Sequence, residues 1–234
     1  MRSPCRWISP VLLALVLLAP LAWRLPAVEL PPVAANDRWA KEMAEFEAVD
    51  RATPPPARPI VFTGSSSIRL WKDLGTDYAG LQVLNRGFGG STLKDLIRHF
   101  ERTILKYSPR QVVIYSGTND INSGTPVDQV VADLRTVVER IHRDLPETRI
   151  LFIGCALNPA RWAKRELMLE ANRKISAYLA GDARNTFVDP NTVMLGEDGM
   201  PKSDIFVADR LHMNRKGYEL WAPLLRPLLV PLQR

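Results

Sequence analysis

The chain has 234 residues, of which 46% are hydrophobic and 24% charged, an ordinary globular composition long enough for one sizeable core. Its formal charge is +6, but Arg2, Arg6, Arg24 and Glu29 together carry +2, leaving +4 for the rest. The remaining lysines and arginines are interleaved with acids, with no basic run and no aromatic-basic stripe, which argues against a nucleic-acid partner despite the basic pI.

Arg2 and Arg6 precede "ISPVLLALVLLAPLAW", an apolar run of signal-peptide length and short for a membrane span. Ala27 and Ala34–Ala35 are candidate cleavage points, neither a strong match to the usual pattern. Residues 1–35 are therefore expected to be a signal peptide, or an N-terminal membrane anchor, plus linker. The protein would then be periplasmic or secreted, or attached to the outer face of the cytoplasmic membrane. Cys5 lies before the apolar run, where a lipoprotein cysteine cannot be. Without that segment only Cys155 remains, so no intrachain disulfide forms and the core must hold residues 36–234 as one domain. In "LFIGCALN", Cys155 reads as a small buried hydrophobe.

Trp39, Met43, Phe46 and Val49 recur at helical spacing and predict a helix over 36–51, followed by the stiff connector "ATPPPARP". Apolar runs at 60–63, 81–85, 111–117, 149–154 and 186–189 predict five strands. Helical patterns lie between them. Thr92 and Asp95 stand at N-cap and N3 of one helix, with Leu93, Leu96, Ile97, Phe100 and Ile104 on its inner face. Thr125 and Pro126 open the next, with Val127, Val130, Val131, Leu134, Val138 and Ile141 inward. A helix over 160–180 ends at Gly181, and Asn214 caps a last one interrupted by Pro223 and Pro227. Short apolar strands alternating with helices predict an α/β fold, a three-layer α/β/α sandwich around a parallel sheet. In such folds the chemistry gathers in the loops after the strands.

Those loops are "TGSSS", "NRGFGGST" and "SGTNDINSG", and "DRLH" precedes the last helix. Singly, each reads as a helix cap or a tight turn. Together they contain what a nucleophilic serine needs: a base, an acid to orient it, and donors for an oxyanion. Of the three histidines, His99 and His142 sit inside amphipathic helices and read as surface or edge residues. His212 alone follows an acid, Asp209, by one helical turn. The G-x-S-x-G elbow of the α/β-hydrolases is absent. "DINSG" lacks the bidentate acid of a calcium loop, so no metal is expected, and no cofactor. Trp71, Phe88, Trp162 and Trp221 read as core rather than acyl-pocket residues, and Arg161 as a solvated surface arginine rather than an anion contact.

The four loops resemble, in order, the four sequence blocks of the SGNH (GDSL-type) hydrolase superfamily: "FTGSSS", "NRGFGGS", "GTND" and "DRLH". The resemblance spans nearly all of 60–221 and is nearest the lipase/acylhydrolase subgroup related to platelet-activating-factor acetylhydrolases. It implies a flavodoxin-like topology with a five-stranded parallel sheet. It also implies Ser66 as nucleophile, His212 as base and Asp209 as its orienter. The oxyanion hole would comprise the Ser66 and Gly90 backbone N–H groups and the Asn119 amide. Ser65 stands where the family has Asp, which leaves the triad intact and alters the hydrogen bonding of the nucleophile loop. The implied activity is a serine esterase acting through an acyl-enzyme on a small-molecule, glycan or lipid ester. An acyltransferase on the same triad is the nearest alternative. A flavodoxin-like phosphate- or flavin-binding module explains the serines but leaves Asn119, Asp209 and His212 without purpose. Neither the acyl group nor the oligomeric state is legible in the sequence.

Overall fold

The structure is a computed structural model that describes residues 30, 32–34 and 36–232, so the signal-peptide or anchor expectation lies almost wholly outside the described residues. No described helix is long and apolar enough to cross a membrane. Five strands form one sheet: β1 (Ile60–Gly64), β2 (Val83–Gly87), β3 (Gln111–Tyr115), β4 (Arg149–Ile153) and β5 (Asn185–Val188). Their order is β2-β1-β3-β4-β5 and every neighbouring pair is parallel. The helices are α1 (Ala40–Ala52), α2 (Ser66–Arg69), α3 (Leu74–Asp77), α4 (Leu93–Arg98), α5 (Phe100–Thr103), α6 (Thr118–Asn122), α7 (Val127–Asp144), α8 (Arg165–Leu179), α9 (Asn191–Met194) and α10 (Arg215–Leu225).

The two-residue period of the strands divides the core into two halves. Val112, Ile114, Ile150 and Phe152 cluster with apolar residues of α1, α4, α5, α7 and α8. Val113, Tyr115, Leu151 and Ile153 cluster with those of α2, α3, α9 and α10. Both faces of the sheet are thus covered, which is why its strands read as continuous apolar runs. On α7 the buried stripe is Val127, Val130, Leu134, Val137, Val138 and Ile141, each burial stabilising by about 1.5–3 kcal/mol.

Four local expectations change in detail. The first helix starts at Ala40, because Asp37 Oδ1 captures the Trp39 N–H (2.8 Å) and holds the preceding residues in a turn. Pro126, not Thr125, occupies the N-cap of α7, and the Thr125 N–H is spent on the Asp120 carbonyl (2.9 Å). The 160–180 segment divides into a 3₁₀ stretch, Pro159–Lys164, and α8, since Asn158 caps the Arg161 N–H and the backbone kinks at Arg161. His99 is buried, not peripheral: its ring packs edge-on to Trp39 and Phe88 and lies 3.3 Å from Asp37. The capping box of Thr92 and Asp95 and the Asn214 cap form as predicted.

Because the strand order reverses between β1 and β3, the connection leaving β1 runs towards β2 and the one leaving β3 runs towards β4, and a crevice opens between their C-terminal ends. Gly64 and Tyr115 are register partners at the mouth of that crevice. The serine and Asn119 loops therefore emerge side by side.

Candidate active site

Gly64 sits at φ +111°, and a side chain there would collide with the Tyr115 carbonyl oxygen. That same oxygen accepts the Ser65 N–H at 2.9 Å. The chain then turns straight into α2, a single turn whose first residue is Ser66. The Ser65 carbonyl closes this turn by accepting from Ile68 and Arg69, and the Tyr218 hydroxyl donates to the Ser67 carbonyl at 2.9 Å. Ser65, buried at the departure from the family pattern, makes no side-chain hydrogen bond to another described residue. Ser66 faces the crevice half-buried.

Asp209, His212 and Ser66 form one hydrogen-bonded row. His212 Nε2 lies 2.9 Å from Ser66 Oγ, and Nδ1 lies 2.6 Å from Asp209 Oδ2. A carboxylate only accepts, so Nδ1 carries the proton and Nε2 accepts from the serine hydroxyl. The Asp-x-x-His spacing is realised by a turn and not by a helix. Asp209 Oδ1 accepts the N–H groups of Leu211 and His212, both at 2.9 Å, while Arg210 turns through φ +58°. The His212 ring and these two N–H groups hold the Asp209 carboxyl down to about 2, so it stays ionised.

Three further donors were expected here. The Ser66 and Gly90 N–H groups have no acceptor among the described residues. Asn119 Nδ2 donates to the Ser91 carbonyl at 2.9 Å, tying its loop to the glycine block. Gly90, at φ +75°, lies against the Arg38 guanidinium, and it does not line the cleft that Ser66 and Asn119 share. Two residues missed in the sequence brace this assembly. Asp120 accepts the Leu93 N–H at 3.0 Å, burial pushing its carboxyl above the ordinary range. The Trp39 indole donates to the Gly89 carbonyl at 2.9 Å, so the segment before α1 buttresses the glycine loop. The Asn-Asp dipeptide was a signal for the first, whereas nothing local announces the second.

The cleft beside Ser66 has a volume of about 380 Å³, including the space open to solvent at its mouth. Tyr115, Met194, Phe206, Met213 and Trp221 form its apolar wall, and Asn158 and Arg161 line it too. Trp221 is both core and wall: it packs edge-on to Tyr115 at 5.1 Å, and its N–H points at Met194 Sδ. Trp71 and Phe88 are buried in the core as expected, and Trp162 is half-buried. Cys155 is fully buried behind the site, its thiol pushed up to about 12 by desolvation. Among the described residues there is no cluster of three or more His, Cys, Asp or Glu that could hold a metal ion.

The pattern of the GDSL-like Lipase/Acylhydrolase family matches residues 61–220. No curated protein sequence matches the chain significantly. Among solved structures, a candidate platelet activating factor from Streptococcus pneumonia superposes with TM-score 0.73 at 19% identity, covering 81% of this chain and 92% of that one. A GDSL-like lipase from Bacteroides thetaiotaomicron VPI-5482 gives TM-score 0.68 at 18% identity over 80% of this chain and 96% of that one. An acetylxylan esterase from Geobacillus stearothermophilus gives TM-score 0.60 at 18% identity over 76% and 98%. That esterase has also been solved as catalytic mutants, one at a serine and one at a histidine. The chain thus belongs to the GDSL-like lipase/acylhydrolase family and is an ester-bond hydrolase.

Proposed function

We propose that the protein is a serine esterase that removes a short acyl group from a glycan- or lipid-linked ester through an acyl-enzyme. The observation that carries this reading is the Asp209–His212–Ser66 row, at 2.6 and 2.9 Å. Ser66 Oγ attacks the ester carbonyl while His212 Nε2 takes its proton. Asp209 stabilises the imidazolium, and His212 then returns the proton to the departing alcohol. A water, deprotonated by the same nitrogen, cleaves the acyl-serine. The developing oxyanion is held by the Ser66 N–H and the Asn119 amide, in the roles the family resemblance implies, while Gly90, implied as the third donor, lies outside the cleft lining. That the acetylxylan esterase also depends on a serine and a histidine supports the assignment.

The narrowness of the cleft supports a small acyl group. Its volume of about 380 Å³, counted out to the solvent at its mouth, is at the small end for a ligand pocket. The test is labelling with a fluorophosphonate, wild type against Ser66→Ala, followed by p-nitrophenyl esters from acetate to decanoate. Ser66 should take the label, and kcat/KM should fall with chain length. Labelling that survives in Ser66→Ala would move the nucleophile elsewhere.

A further inference from the structure

The wall of the cleft contains one formal cation and no acid. Arg161 lines the same recess as Ser66, Asn119 and His212, while Asp209 lies outside it, behind the imidazole. The guanidinium is half-buried, yet it has no side-chain hydrogen bond and no ion pair among the described residues. That sets it apart from the other buried or half-buried arginines. Arg86 pairs with Asp50, Arg140 with Glu101, and Arg110 donates to the carbonyls of Arg58 and Val230. Withdrawing a guanidinium from water without a partner is costly, and an arginine with room to reach solvent avoids it.

Arg161 is held in this position by its backbone. Asn158 Oδ1 caps its N–H at 3.0 Å, and the 3₁₀ run bends at Arg161 to φ −118°, ψ 23°. The preceding Ala160 N–H is bonded to the Arg210 carbonyl at 3.1 Å, which ties this segment to the turn that presents His212. Tyr115 and buried Cys155 are its titratable neighbours, and both are neutral near pH 7 because burial raises them. Desolvation lowers the Arg161 guanidinium from its ordinary value, as expected of a cation with no anion at hand.

Resting on the esterase reading, we infer that Arg161 is a specificity-determining residue that binds a carboxylate of the substrate, so that the preferred ester is anionic. A planar carboxylate matches the two-pronged donor face of a guanidinium and fits a narrow cleft better than a tetrahedral phosphate does. The carboxylate could belong to the acid half, as in a dicarboxylic half-ester, or to the alcohol half, as in an O-acetylated hydroxy acid.

Two substrate pairs separate these sources. One is p-nitrophenyl hydrogen succinate against p-nitrophenyl butyrate. The other is O-acetyl-lactate against its methyl ester, followed by acetate release. In the wild type the anionic member of one pair should have the higher kcat/KM, by about 10- to 100-fold for a charged hydrogen bond. Arg161→Gln should collapse that ratio towards one, Arg161→Lys should retain part of it, and Arg161→Glu should reverse it. A wild-type ratio at or below one in both pairs overturns the inference, as does a ratio that Arg161→Gln leaves intact. Either result leaves the esterase reading standing. Only the failure of every ester, with no label on Ser66, would remove both.

Discussion

Replacing Asp209 should reveal how the row works, because two substitutions that look alike are expected to differ. Asp209→Ala removes the charge facing the imidazolium. At about 4 Å between charge centres the attraction is worth about 1 kcal/mol in water and about 4 kcal/mol at an effective dielectric of 20. The Asp209 side chain is 47% exposed, so the lower half of that range applies, a loss of roughly 5- to 70-fold in kcat. Water entering the vacated space can still accept from Nδ1. Asp209→Asn is different. Its carbonyl oxygen can keep the N–H groups of Leu211 and His212, which turns its NH₂ towards His212 Nδ1. The imidazole must then accept at Nδ1 and carry its proton on Nε2, where it donates to Ser66 and cannot deprotonate it. In triad proteases the same change costs about 10⁴ in kcat. The assay is p-nitrophenyl acetate hydrolysis at saturating substrate, with fluorophosphonate labelling rates measured in parallel. Both variants should melt near the wild type, since the position is exposed. An Asn variant as active as the Ala variant, or more so, would refute the tautomer argument.

Asn119→Ala should lower kcat by about 10²- to 10³-fold with little change in KM, because an oxyanion donor acts on the transition state; a loss expressed mainly in KM would make Asn119 a substrate-binding residue. Asp50→Ala should destabilise the fold by about 3–5 kcal/mol in urea melts at pH 7, since it leaves the buried Arg86 guanidinium without its acid partner. Burial alone would raise Asp50, but hydrogen bonds from Lys106 and Tyr107 and the charge of Arg86 carry it below the ordinary carboxylate value. Its contribution is therefore complete above that ordinary value and is lost as pH falls through the depressed folded one. The gap between wild type and variant should narrow in melts near pH 2, and a constant gap would contradict the linkage.

Much of the fold was legible because its signals are local. Five apolar runs became five strands, and Thr92 with Asp95 closed a capping box, because burial pattern and capping act over a few residues. The misread positions are those where a distant partner intervened. His99 sits on a helical pattern, but Trp39, Phe88 and Asp37 cover it from elsewhere in the chain. The Asp209–His212 spacing suggested a helical turn. The observed turn instead depends on two backbone N–H groups that the carboxylate itself gathers.

By itself, then, the sequence determined a parallel sheet, the loops at its strand ends and the residue types those loops carry, since each follows from neighbours within a turn or a strand. Only the tertiary structure decided which of these residues meet. Ser66 and His212, 146 positions apart, come within 2.9 Å because β1 occupies the switch point of the sheet and α10 packs against it. The standing of Arg161 was decided there as well. Whether an arginine is a solvated surface residue or an unpaired cation in a cleft depends on what the rest of the chain places around it, and here it places no acid.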